Sequence, residues 1–316
     1  GEMELFTLSG VVAIAAMAWQ VFRGPAREYV PGACPRLERH LGSHLAGQAP
    51  AVEAAADAVC AHLADTHPQR PLVLSVHGPP GVGKSYFHLL AAQALYNLTD
   101  GQYECPGYHC PAYKIVFGMD FLAGEAAEQH IMLRHTLLNH FHAYKEALVV
   151  VEEFDKASCE SRQFLRHLLL HGDQNTTLGL SRSIVILESN TGYLDTVTQL
   201  QQAGDRSQVP LEAVTSALKD RMFVETMALD CLSHVEASRL VNLVDAFVPF
   251  FPLEHTHVEQ VVGMHLRRLT WQMQRAGRLG ALLWGPEVVD FLAGKVRGAA
   301  ARTVRAGESG GGPVEE

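Results

Sequence analysis

The stretch Gly78-Pro79-Pro80-Gly81-Val82-Gly83-Lys84-Ser85 fits the pattern G-x-x-x-x-G-K-[ST], a loop that binds phosphate. In front of it lies Pro71-Leu-Val-Leu-Ser-Val-His77, a short apolar run of strand type. Behind it, Tyr86 to Tyr96 is a run of helix formers. Strand, glycine loop, helix is the setting that separates a phosphate site from a chance glycine turn. Gly78, Gly81 and Gly83 let the backbone turn tightly and aim its N–H groups at phosphate oxygens. The N-terminus of the following helix adds positive potential. Lys84 is placed to reach the β- and γ-phosphates, and the Ser85 hydroxyl to ligate Mg²⁺. Pro79, Pro80 and Val82 complete the nucleotide-binding stretch, and ATP and Mg²⁺ are the expected cofactors.

The chain has 316 residues, 47% of them hydrophobic, which suffices for one large domain or one with a smaller appendage. Its net charge of −9 makes it a poor general binder of nucleic acid, so nucleic acid is not an expected partner. Six cysteines in this length do not make a disulfide scaffold. Cys105 and Cys110 either close a small loop in an oxidising compartment or remain two free thiols. Of the 17 histidines, His130, His135, His140, His142, His167 and His171 fall in helical stretches. None has a Cys or carboxylate at metal-ligand spacing, so they read as surface or half-buried residues.

Residue 1 is glycine, which reads as a fragment or a processed chain. Residues 5–22, Leu5 to Phe22, carry no charge, and at 1.5 Å per residue they span about 27 Å, near the hydrocarbon thickness of a bilayer. This is read as an N-terminal transmembrane helix contacting the lipid bilayer, with a signal peptide or a buried helix as rivals. Arg23 and Arg27 after the span favour a cytosolic C-terminal side. Residues 23–42 read as a linker rich in Gly, Pro and Arg, and Pro50 to Asp65 as an amphipathic helix. Strands are expected at Tyr113–Phe117, Ala147–Val151 and Ser183–Leu187, and helices at Glu125–Tyr144 and Ser158–His171. Alternating strands and helices give an α/β domain over 43–226 with a parallel sheet flanked by helices. Leu240 to Arg275 reads as helices broken at Pro249 and Pro252. It falls within a small C-terminal helical domain over 227–304. Residues 305–316 are disordered by composition.

A phosphate loop needs acids. Val149-Val-Val-Glu152-Glu153 is an apolar strand ending in two of them, the arrangement of ring-type ATPases. Glu152 is expected to hold Mg²⁺ through water, and Glu153 to polarise the attacking water. A solvated acidic turn is the plain alternative. Asn190, at the end of Ile186-Leu-Glu-Ser-Asn190, either orients the water or forms a turn.

At these residues the chain resembles the torsin family of AAA+ ATPases, closest to the membrane-anchored torsin-4A type. The likeness runs from about Leu41-Gly-Ser-His-Leu-Ala-Gly47 to Val304. It includes Glu153-Phe-Asp-Lys156, Ser189-Asn-Thr-Gly192 and Asn242-Leu-Val-Asp-Ala-Phe-Val-Pro-Phe-Phe-Pro-Leu-Glu-His255, the most family-specific segment. The resemblance implies a P-loop AAA+ fold and an ATPase of the endoplasmic reticulum and nuclear-envelope lumen that acts on a protein client. It also implies a membrane-bound activator supplying an arginine finger, and a homo-oligomer. Carried over by position, Lys84 and Ser85 bind phosphate and Mg²⁺, Glu152 and Glu153 are the acid pair, and Asn190 is the first sensor. The family's Gly-Cys-Lys sensor falls on Ala300-Ala-Arg302. Arg302 keeps the cation, while the cysteine is absent and its partner position is Val261. Ser85 stands where the best-known torsins have Asn. Asn97-Leu-Thr99 and Asn175-Thr-Thr177 are glycosylation sequons; with the family likeness they favour a luminal domain over the arginine argument. Two rival functions remain. One is a nucleotide-dependent scaffold with little or no hydrolysis. The other is a small-molecule P-loop kinase, which would need neither the acid pair nor the span.

Overall fold

The computed structural model describes residues 28–97, 105, 107, 110–118, 126–171, 179–228 and 232–296. The apolar run 5–22, Asn175, Arg302 and the tail 305–316 lie outside the described residues. Among the described residues, no helix is long and apolar enough to cross a membrane.

Helices α1 (Ala33–His44) and α2 (Ala49–Ala64) lead into strand β1 (Leu72–His77), and α3 (Lys84–Tyr96) follows the glycine loop. Next come β2 (Tyr113–Phe117), α4 (Ala126–Ala143), β3 (Leu148–Glu152), α5 (Cys159–His171) and β4 (Ile184–Ser189). Then follow α6 (Tyr193–Ala203), α7 (Leu211–Ala228), α8 (His234–Val241), β5 (Ala246–Pro249) and α9 (His255–Arg275). A last helix, α10, covers 286–296.

The five strands form one parallel sheet in the order β2-β3-β4-β1-β5. All six residues of β1 and of β4 are buried, as expected of central strands covered on both faces. Because side chains alternate across a strand, each strand feeds two cores. Leu74, Val150 and Ile186 pack with Leu37 and Leu41 of α1, Val52 of α2 and Phe87 of α3. Val73, Val149, Val151 and Leu187 pack on the other face with Leu137 of α4, Leu165 of α5 and Leu218 of α7. The register fixes which residues share the sheet's C-terminal edge: Phe117 pairs with Glu152, Val151 with Leu187, Val76 with Glu188, and His77 with Ser189. Ligands of open α/β sheets bind along that edge.

Two expectations change, and one open reading is decided. The stretch 23–42 reads as a linker in sequence, yet Ala33–His44 is helical because Leu37 and Leu41 seal one face of the sheet core. The segment expected as broken helices contains β5, so the sheet draws on residues past 226. This strand is only four residues long and sits at the sheet edge, where Pro249 costs no ladder hydrogen bond. The described cysteines are paired. Disulfides join Cys34 to Cys60, with Cα atoms 5.2 Å apart, and Cys105 to Cys110, at 5.7 Å. Cys159 is also disulfide-bonded, and no described cysteine is free. The Asn97 side chain is buried at the end of α3 with its residue 5% exposed, so the first sequon offers no room for a glycan on the folded chain.

Candidate nucleotide site

The phosphate loop joins β1 to α3 with glycine where only glycine fits. Gly83 has φ 106° and ψ 16° immediately before α3. At Gly78 a Cβ would lie 2.6 Å from the Phe250 carbonyl oxygen, so the loop seats directly on the segment after β5. The Phe250 amide donates to the His77 carbonyl at 2.7 Å, and the Phe250 ring meets Phe87 edge-on at 5.8 Å. Gln48 ties the loop in from a third direction. Its amide nitrogen donates to Phe251 O at 2.8 Å and Val82 O at 3.4 Å, and its oxygen accepts from Phe251 N at 3.0 Å.

Lys84 is buried and donates to Gly78 O and Pro79 O, both at 3.0 Å, and to Asn190 Oδ1 at 2.8 Å. Burial pulls its pKa down, while Glu188, Asp155 and Glu152 pull it back up. The lysine and the strand-end Asn therefore meet directly. Asp155 helps place Asn190, accepting from its backbone N–H at 3.4 Å.

The acids make contacts that the sequence did not disclose. Glu152 is not directed to water alone: it accepts a hydrogen bond from the His88 ring, Nε2 to Oε1 at 2.9 Å. The same nitrogen lies 3.3 Å from Glu188 Oε2, and the Ser85 hydroxyl donates to both Glu188 oxygens at 3.3 Å. His88 Nδ1 lies 2.5 Å from the Tyr113 hydroxyl. Burial alone would push the His88 pKa down, but the hydrogen bonds to Glu152 and Glu188 outweigh it and raise the pKa. The same bond to His88 lowers the Glu152 carboxyl pKa. Glu188 and His88 escaped the sequence reading. The visible signal was an acid inside Ile184–Ser189, since a charge in a buried strand is rarely unpaired. His88 gave no local signal, because its partners lie 64 and 100 residues away.

Glu153 follows β3 with φ 52° and ψ 43°, and among the described residues it has the one positive φ outside glycine. Left-handed backbone costs an ordinary residue about 1 kcal/mol and concentrates at functional sites. Its carboxylate makes no hydrogen bond to another described residue, so it is available at the sheet edge. His77 braces the loop from below. Its Nδ1–H donates to Thr191 O at 3.1 Å, and its Nε2 accepts from the Ser75 hydroxyl at 2.7 Å. Burial pushes its pKa down to about 4. Beside the site, a cleft of about 1050 Å³ opens between Leu45, Gly47 and Val52 and the α9 residues Gly263 and Met264.

The donor set fits the expected groups. A glycine-lined backbone turn with a buried lysine suits phosphate, and Ser85 Oγ with the two carboxylates suits a divalent cation.

Comparison with known proteins agrees with this geometry. The torsin family model matches residues 26–104. A torsin-like protein of Caenorhabditis elegans is 28% identical over 239 residues, covering 73% of this chain and 64% of its own length. The chaperone protein ClpB of Chlamydia pneumoniae is 25% identical over 267 residues, 81% of this chain and 28% of its own. The S. cerevisiae Hsp104:casein complex in its extended conformation superposes with a TM-score of 0.61 at 20% identity, over 82% of this chain and 42% of that one. The chain thus spans less than two thirds of the length of these relatives. The sheet order, the phosphate loop and these superpositions give the chain the AAA+ fold, and its sequence is similar to the torsin family over the matched residues.

Proposed function

We propose that this chain is a torsin-family AAA+ ATPase of the membrane-anchored torsin-4A type, which couples ATP binding and hydrolysis to the remodelling of a protein client. The observation that carries the reading is the convergence of Lys84, Asn190 and the strand-end acids on one glycine loop. The loop amides and Lys84 would hold the phosphates, while Ser85 and Glu152 would hold Mg²⁺, which neutralises phosphate charge when bound. Glu153 is free to take a proton from water at the γ-phosphate, and Asn190 to orient that water. Arg302 serves as the second sensor. The site operates in a homo-oligomer or with an activator that supplies an arginine finger.

Residues 5–22 anchor the chain, and the ATPase domain faces the lumen of the endoplasmic reticulum and nuclear envelope. The paired cysteines support this compartment, because disulfides persist where the medium is oxidising. A nucleotide-dependent scaffold is the second reading. It is favoured by the engagement of Glu152 with His88, which occupies the carboxylate expected on the metal.

The test is ATP titration and turnover on the full chain, with and without a torsin activator's luminal domain. Lys84→Ala is expected to lose ATP binding. Glu153→Gln is expected to keep it while turnover falls about 10²-fold or more, the size of a general-base contribution. Unchanged affinity in Lys84→Ala refutes the site. Absent turnover in the wild type, even with activator, selects the scaffold.

A further inference from the structure

His88, Glu152 and Glu188 come from three elements, α3, β3 and β4, and their ligand atoms all lie within 4.8 Å of one another. Their side chains are 2%, 14% and 10% exposed. Two carboxylates this close and this buried repel each other unless positive charge lies between them; in the metal-free chain the His88 ring supplies it, and a bound cation would take the place of the Nε2 proton. Lys84 does not fill that place, because its ammonium is spent on Gly78, Pro79 and Asn190.

We propose that His88 Nε2, Glu152 and Glu188 hold one divalent cation of the transition-metal class, Zn²⁺, Co²⁺ or Mn²⁺, beneath the phosphate loop and without need of nucleotide. The proposal deepens the nucleotide-site reading, since Glu152 and Ser85 are common to both. For donors about 2.1 Å from an ion, neighbouring donors sit about 3.0–3.4 Å apart in octahedral or tetrahedral geometry. The spacings here are 2.9 Å from His88 Nε2 to Glu152 and 3.3 Å to Glu188. Ser85 Oγ, 3.3 Å from Glu188, stands beside the set as a further oxygen donor. Mg²⁺ prefers oxygen and keeps its waters, whereas an imidazole nitrogen favours Zn²⁺ and its neighbours in the series, and the two carboxylates also suit Mn²⁺. The other ring nitrogen is already positioned: Nδ1 lies 2.5 Å from the Tyr113 hydroxyl, and with a metal on Nε2 the Nδ1–H would donate to it, the outer contact that holds a metal-binding tautomer. Burial also pushes the Tyr113 phenol pKa up, so the hydroxyl stays neutral.

The experiment is a Co²⁺ titration of the full chain in the absence of nucleotide, followed by visible absorption. One equivalent is expected to give a d–d band that Zn²⁺ abolishes and excess Mg²⁺ leaves in place. Zn²⁺ is expected to raise the Tm. Glu188→Gln, close to isosteric, and His88→Gln are each expected to weaken Co²⁺ binding by about tenfold or more. No band in the wild type, or a band that both variants retain, overturns the proposal. So does an imidazolium signal from His88 that persists under excess Co²⁺. ATP titration in Mg²⁺ on the same sample separates the two readings. Intact ATP binding without a Co²⁺ band refutes only the metal site, whereas lost ATP binding with the band present refutes only the nucleotide site.

Discussion

Lowering the pH from about 7.5 to about 5 tests the brace beneath the phosphate loop. His77 is 1% exposed, at the last position of β1. Its two nitrogens already have assigned roles, one donating to Thr191 O and one accepting from the Ser75 hydroxyl. A second proton would remove the acceptor and place a buried cation stacked on Phe247, 5.6 Å away, and near Lys84, with Asp155 the nearby acid that opposes the penalty. The folded-state pKa is pushed down to about 4, from 6.5 for the free side chain. Between those values the unfolded chain binds the proton and the folded chain does not, so stability is full above 6.5 and falls as pH drops toward 4. At 1.36 kcal/mol per pH unit, the 1.5 units from 6.5 to about 5 cost about 2 kcal/mol. Urea unfolding of the wild type and of His77→Asn at both pH values isolates this. The variant keeps a donor toward Thr191, carries no titrating group, and retains every other histidine. Whatever His77→Asn costs at neutral pH, the wild type is expected to lose about 2 kcal/mol more than the variant on acidification. Parallel losses would refute the assignment of a neutral, buried His77.

Two further outcomes are expected. Replacing both Cys34 and Cys60 by Ser opens a loop of sequence separation 26 and is expected to cost about 3.5 kcal/mol in chemical denaturation, since closing such a loop restricts the unfolded chain. Gln48→Ala leaves the buried N–H and C=O of Phe251 without their partner and is expected to cost about 2–3 kcal/mol, read by the same denaturation. ATP affinity should fall with it, because Val82 O loses its tie.

What the sequence disclosed depended on how local the signal was. The strand–loop–helix unit around Lys84 was legible because its chemistry lies within a dozen consecutive residues. The apolar runs of β3 and β4 were legible because strands buried on both faces carry no alternation. Glu152, Glu153 and Asn190 were legible as strand ends, but the partners of Glu152 were not. Parallel pairing brings residues together across crossovers, so the contact of His88 with Glu152 and Glu188 is set by sheet register rather than spacing. β5 was missed for a related reason. Four residues ending in Pro249, with Pro252 three positions on, look like an interrupted helix until the neighbouring β1 supplies the pairing. The disulfide of Cys34 and Cys60 depends on α1, whose helicity the Gly- and Pro-rich composition concealed.

The same remoteness bears on how the site would be controlled. The phosphate loop is held by residues that lie beyond 245 or before 49 as much as by its own glycines. Phe250 forms the floor under Gly78, and Gln48 joins Val82 to Phe251 through one amide. Arg206 donates to Gly47 O and Pro252 O while its guanidinium lies over the Phe251 ring at 5.6 Å. The His257 ring fills the space where a Cβ on Gly47 would sit, so the first turn of α9 abuts the residue before Gln48. The His257 ring of α9 thus packs on Gly47, the residue that precedes Gln48 in the chain. Both N–H groups of the buried Gln48 amide are engaged, so its displacement would break a bond to Phe251 or to Val82. A continuous run of contacts therefore links α9 to the backbone of the phosphate loop through Gly47 and Gln48, while the acids at the other side of the loop are held separately by β3 and β4.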